Sequence, residues 1–335
     1  MKKLLSVLLL SVLLIGCSEN RVLMDELINK GSNRDPIMYS EKGLFNGIGF
    51  DVDKNGQLRE EGNWKDGKKD GLSKSWYRNG QLEYEENWKV GKEDGLSKSW
   101  YDEGQLRFEG KYIDGKGDGE HKFWYDNGQL RCEDNYKDGK KDGLSKDWGK
   151  DGQLKSESNY KDGKKNWKEW YPNGQLSLEK NYKDSRKDGL HKEWYPNGQL
   201  IWERNYKDGL ENGLYKSWYD NGQLRFEENW KNDKMDGLHK SWYENGQLRS
   251  EENHKDNRKD GLHKGWYENG QLSYERNYKD SRKDGLHKEW YSNGQLRSEE
   301  NWKNDKEDGL HKEWFEFRNG QLRYERNYKD GVRID

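Results

Sequence analysis

From residue 43 onward, short runs of alternating apolar and polar residues are cut by glycine-bearing turns. In "GLHKEWYPNGQLIWERNYK", residues 189–207, Leu190 and Trp194 lie two or four positions apart, as do Leu200, Trp202 and Tyr206. A period of two places such residues on one face of a strand. The intervening "PNG" suits the positive backbone angles of a tight hairpin turn. A longer polar connection of the type "KDGKKDG" or "KDSRKDG" leads to the next hairpin. The tripeptide Gly-Gln-Leu begins at Gly56, Gly80, Gly104, Gly128, Gly152, Gly174, Gly198, Gly222, Gly246, Gly270, Gly294 and Gly320. The spacing is 24, with one interval of 22 before Gly174 and one of 26 before Gly320. Self-similarity at a fixed period is the mark of a repeat architecture.

The expected fold is therefore all-β: an elongated array of about twelve β-hairpins of 24-residue period, an antiparallel sheet or solenoid held together between neighbours. Each hairpin advances a sheet by about 10 Å, so twelve extend over about 115 Å before twist. Side-chain alternation predicts one apolar face with Leu190, Trp194, Leu200, Trp202 and Tyr206, and their counterparts in every copy. The opposite face is expected to be wet, carrying His or Ser, Glu, Arg, Gln, Asn and a second tyrosine column.

Composition changes this picture in one respect. Only 29% of the 335 residues are hydrophobic, 38% are charged and the mean hydropathy is -1.53, which argues against a conventional core. Seventeen Trp and 21 Tyr at fixed intervals argue equally against disorder. The formal net charge is -2 with no long basic run, so nucleic acid is not an expected partner.

The first residues carry an address. "MKKLLSVLLLSVLLIGCSEN" has Lys2 and Lys3, an apolar stretch from Leu4 to Ile15, and "LIGC" ending at Cys17. The apolar stretch is shorter than the roughly 20 residues a membrane span needs. It resembles a bacterial lipoprotein signal with its lipobox. That resemblance implies cleavage before Cys17, lipidation of Cys17, and anchoring of the protein to the cell membrane or outer membrane through several acyl chains. Ser18 after the cysteine fits an outer-membrane destination in a two-membrane bacterium. The expected division is a signal peptide over 1–16, lipidated Cys17 with a tether and lead-in strand over 17–42, and the array over 43–335. Cys132 then has no disulfide partner, and in "LRCEDNY" it takes the place of Tyr84, Phe108 or Phe226 as a small hydrophobe.

Every carboxylate has counterparts in neighbouring copies, whereas catalysis needs unlike environments, so no catalytic residue is expected and the chain reads as a non-enzyme. His121, His191, His239, His263, His287 and His311 form one column, but equivalent positions lie about 10 Å apart, too far to share a metal ion. These read as surface histidines, and no metal or cofactor is expected. "DVDKNGQLREEG" sets Asp51, Asp53, Asn55 and Gly56 at calcium-loop offsets but ends at Gly62 in place of the bidentate Glu, and reads as a turn. The tyrosines Tyr77, Tyr101, Tyr125, Tyr171, Tyr195, Tyr219, Tyr243, Tyr267 and Tyr291 should face the polar side beside Arg, Gln and Asn. They are the candidate binding face for protein or glycan, with shielding of the sheet as the competing role.

The pattern "DGxxKxWYxNGQLxxExNYKDGKxDG" resembles the MORN repeat in its bacterial variant form, of the YwqK-type antitoxin kind, across nearly all of residues 43–331. The resemblance implies scaffolds, membrane-associated modules and protein-binding surfaces. The leading expectation is thus a lipid-anchored, non-enzymatic envelope protein, periplasmic or surface-exposed, that offers its array to a protein partner, including one on a host cell. A cell-wall or glycan-binding module and an antitoxin-like neutralising protein are the alternatives.

Overall fold

The computed structural model describes residues 20–31, 36–316 and 320–335; the signal segment with Cys17, and Phe317, lie outside the described residues. The chain divides into two compact units, Met1–Lys141 and Asp142–Asp335. In the first, strands from Gly47–Val52 to Leu130–Lys137 pair antiparallel, each with the next along the chain. Arg21–Leu23 joins Gly47–Val52 in parallel. In the second, the same hairpins run from Gly143 to Arg333. Among the described residues the one helical element is a 3-10 turn, Met24–Glu26. The all-β hairpin array of 24-residue period is the fold of the chain.

The two connections exchange the lengths expected of them. The "KDG" link is a two-residue turn: Lys207 pairs with Leu210, and Asp208 and Gly209 take φ of 51° and 94°. Both central residues are left-handed, as a type I′ turn demands, which is why Asp, Asn and Gly recur there. The following "KDG" residues belong to the next strand. The "PNG" link is longer, closed by Tyr195 N–H donating to the Gln199 carbonyl and Gly198 N–H donating to that of Tyr195, with Asn197 Oδ1 accepting from Gln199 N–H.

Register also redraws the faces. Gly189 pairs with Tyr206, His191 with Arg204 and Glu193 with Trp202, whereas Leu190 pairs with Asn205 and Lys192 with Glu203. Trp202 and Tyr206 therefore share a face with His191, not with Leu190 as expected. Alternation assigns sides within each strand; the phase between strands is set by the turn and by the bulge between Glu193 and Trp194. The histidines are the second surprise. His121, His191, His263, His287 and His311 are buried, His191 and His263 at 1% exposure, so the expectation of surface histidines is corrected. The Leu190 face carries a cross-strand Lys–Glu rung in hairpin after hairpin, for example Lys192–Glu203 at 3.4 Å and Lys264–Glu275 at 3.0 Å.

Among the described residues, buried hydrophobic side chains are confined to one place. Leu27, Met38, Phe45 and Trp64, with Val22 against them, form a small core where the N-terminal segment meets the first hairpin. Elsewhere the aromatic columns are half-buried, and repeats are tied to one another by polar ladders. The turn amide of Gly209 donates to the carbonyl of Lys187, as Gly91 does to Lys69 and Gly115 to Glu93. The Asn side chains of "ENW" and "RNY" donate to the Leu carbonyl of the next strand, Asn205 to Leu214 and Asn229 to Leu238, both at 3.0 Å. Those asparagines sit opposite the bulged Gly-Leu step. The 22-residue interval lacks it: Ser156 to Lys161 pair with Glu169 to Lys164 without interruption, and Trp167 takes the histidine position.

Candidate functional site

The tyrosine column stands at the end of each outgoing strand, half-buried, and most of its hydroxyls are spent on the fold. Tyr77, Tyr101, Tyr171, Tyr219, Tyr243, Tyr267 and Tyr291 each donate to the backbone carbonyl of the Trp 23 residues on, at 2.7–2.9 Å. The hydroxyls are staples between repeats, while their rings line the face. Tyr125 and Tyr195 occupy the same place in their copies.

The histidines serve the bulge. Nε2 of His191, His263 and His287 donates to the backbone carbonyls of Asn181, Asn253 and Asn277 at 2.7–2.8 Å, beside the bulge that each asparagine faces. Burial pushes these three imidazoles below the usual histidine range, against the opposing effect of the bond to the carbonyl. His191 is packed between Tyr182 and Tyr206, with ring centroids at 5.5 and 4.6 Å. Among the described residues no group of three His, Cys, Asp or Glu is placed to hold a metal ion. The calcium-loop look-alike is a turn: Asp53 Oδ1 accepts from the amides of Asn55 and Gln57, the latter doing most to hold its carboxyl below the usual range. Cys132 is half-buried opposite Phe123.

Near His239 the histidine face departs from the pattern. His254 stands where other copies hold Trp or Tyr, and Glu228, His239, Glu252 and His263 gather about it. Burial disfavours the charge on Glu228, yet His239 Nδ1 at 3.1 Å and the Trp230 indole at 2.9 Å hold its carboxyl below the usual glutamate range.

Beside this stretch lies a hollow of about 570 Å3. Register explains it. Across five strands of the histidine face, Phe226 pairs with Ser241, Ser241 with Ser250, Ser250 with Gly265 and Gly265 with Tyr274. Most other copies hold Glu, Asp or an aromatic at one or both of these positions, as at Glu193 and Trp202. Three small residues in a row leave a recess between the Phe226 and Tyr274 rings. A Cβ on Gly265 would come within 2.2 Å of Tyr274 Cε1, so only glycine lets that ring lie down as a wall. Ser241 Oγ and Ser250 Oγ bond one another at 2.7 Å on the floor. Arg225, Arg249, Trp242, Trp266, Tyr219, Tyr243 and Tyr267 form the rim, with His239 and Glu252 deeper. The repeat pattern had hidden this place, because its signal is an absence of large residues from two columns at neighbouring copies.

Comparison with known proteins matches the chain to the model described as "MORN repeat variant" over residues 69–89, 93–114, 117–138, 141–162, 165–184, 187–208, 211–232, 235–256, 259–280, 283–304 and 307–330. No curated protein matches. Among solved structures, a crystal structure of TcdB2-TccC3 is similar at 11% identity over 88% of this chain and 18% of that chain, with a TM-score of 0.19. A crystal structure of TcdB2-TccC3-Cdc42 is similar at 10% identity over 87% of this chain and 21% of that one, with a TM-score of 0.19. The chain spans about a fifth of the length of these proteins.

Proposed function

The chain belongs to the MORN repeat variant family, whose repeats commonly serve as protein- or membrane-binding modules, and on that premise we propose that it is a lipid-anchored, non-enzymatic scaffold of the cell envelope. Cys17 holds it to the cell membrane or outer membrane, and the histidine face of the array meets a protein partner, including one on a host cell. The observation that carries this reading is how the recurring polar groups are used. Tyrosine hydroxyls, imidazole Nε2 and asparagine amides bond to backbone carbonyls of neighbouring strands, so the groups that chemistry would need are engaged in holding repeats in register. What remains for function is surface: rings, guanidinium groups and carboxylates on a sheet stiffened from one hairpin to the next.

Two measurements test it. Labelled palmitate should enter the wild-type protein in cells and not the Cys17→Ala variant, with loss of the membrane-bound fraction. A photo-cross-linking residue at Ser273, which holds the place of Arg249 one copy on and lines the hollow, should give protein adducts of discrete mass in cells, whereas one at Lys192 on the opposite face should not. Equal labelling of both variants removes the anchor, and no adduct from either position removes the scaffold. Adducts with polysaccharide would favour the glycan-binding alternative.

A further inference from the structure

The rim of the hollow carries charge that points to a ligand. In three other copies the arginine after Gly-Gln-Leu has a carboxylate from the preceding strand: Arg297 lies 3.7 Å from Glu289, Arg323 2.6 Å from Glu313 and Arg59 3.9 Å from Asp51. Where that strand offers Ser99 or Phe123 instead, Arg107 donates to Ser99 Oγ and the Tyr84 hydroxyl, and Arg131 lies over the Phe123 ring. At Arg225 and Arg249 the corresponding positions are Ser217 and Ser241. Among the described residues neither guanidinium has a carboxylate in ion-pair range, and they lie over the Tyr219 and Tyr243 rings at 5.9 and 5.8 Å. Two cations one hairpin apart, about 10 Å, thus flank a recess walled by aromatic rings. The acid in the lining, Glu252, is already met by Lys259 at 3.6 Å.

The floor decides between ligand classes. A saccharide needs many polar partners, but the floor hydroxyls of Ser241 and Ser250 satisfy each other, and Phe226 and Tyr274 offer apolar walls. We infer that this hollow receives an acidic segment of the protein partner. An aromatic or aliphatic side chain enters between Phe226 and Tyr274, and flanking Asp or Glu carboxylates take Arg225 and Arg249, supplying the acids that Ser217 and Ser241 do not. This rests on the scaffold reading, which could hold with the partner bound elsewhere on the face.

The test uses the full chain and three probes: a fluorescein-labelled peptide with a central Phe between Asp and Glu residues, the same peptide with Lys for the acids, and oligogalacturonate. Ser250→Phe fills the recess with a residue that Phe108 and Phe226 show the position accepts. Arg225→Gln with Arg249→Gln removes the cations at the surface, so that one variant survives if the other misfolds. Fluorescence polarisation should show the acidic peptide binding more weakly as salt rises, and about tenfold or more weakly to each variant. The Lys peptide should not bind. An acidic peptide that does not bind, or binds the wild type and the Arg variant alike, overturns the inference, as does oligogalacturonate competing for the recess. Discrete cross-links that persist unchanged in the Arg variant would leave the scaffold reading standing while removing this site.

Discussion

Tyr243 tests whether the tyrosine column holds the repeats together. Its hydroxyl donates to the Trp266 carbonyl of the next copy at 2.8 Å, and its ring stays half-buried whether or not the hydroxyl is present. Tyr243→Phe removes the bond and keeps the ring. A hydrogen bond of this kind is worth about 1 kcal/mol net, and the carbonyl left behind is partly shielded, so the expected loss is about 1 kcal/mol. For a folding unit of this size that is a fall in Tm of about 2–4 °C. Equivalent bonds at Tyr219 and Tyr267 lie a hairpin away, far enough for additivity, so the triple Phe variant should lose about 3 kcal/mol. Urea unfolding followed by tryptophan fluorescence reads the shift in midpoint at unchanged slope. Tyr195 supplies the control: among the described residues its hydroxyl has no such bond to Trp218, so Tyr195→Phe should stay within about 0.5 kcal/mol. If Tyr243→Phe and Tyr195→Phe lose the same amount, or neither loses any, the hydroxyl staple is not what couples the repeats.

Val90 occupies the first position of a two-residue turn at φ 49°, where other copies hold Asp or Asn, so Val90→Asn should gain about 1 kcal/mol in the same urea assay. The buried imidazoles of His191, His263 and His287 have folded pKa values below the unfolded value of about 6.5, so the unfolded chain takes up protons first. Their contribution is full above about pH 6.5 and is lost as pH falls below it toward the folded values. A triple variant with Ser, the residue at Ser73 and Ser97, should show a flatter stability profile between about pH 7 and 5 whatever its absolute stability. Gly237 stands at φ 116° with room for a Cβ only 3.2 Å from that of Asn229, and Gly237→Ala should cost about 1–3 kcal/mol by thermal unfolding.

The repeat, its period and its hairpins were legible because Gly-Gln-Leu, Trp and Tyr recur at a spacing that two turns enforce. What sequence alone misplaced was relative phase. Leu190 and Tyr206 each alternate correctly within their own strands, but Gly189, not Leu190, opposes Tyr206. The bulge between Glu193 and Trp194 consumes a residue that a uniform ladder would have paired. A second bulge, toward the preceding strand at Gly189 with its positive φ of 100°, seats the histidines. There the Asn181 carbonyl accepts from Asp188 N–H at 3.0 Å and, on its second lone pair, from His191 Nε2 at 2.7 Å, which draws a polar residue inside a sheet that has little core elsewhere. Nothing in the alternation of polar and apolar residues announces that a carbonyl will take a second donor from a side chain.

The hollow follows from a related limit. A consensus describes what copies share, and shared positions satisfy one another: Arg297 with Glu289, Lys288 with Glu299. Recognition needs a group left over. Keeping Arg225 and Arg249 while replacing their acids with Ser217 and Ser241 costs little in the free protein, since exposed ion pairs are worth about 0–1 kcal/mol. The same arginines meeting a carboxylate across a partly dry interface can recover about 1.5–3 kcal/mol each. A repeat array can therefore acquire a specific site by small losses in two adjacent copies, and the place to look for it is where the pattern omits a side chain whose partner it has kept.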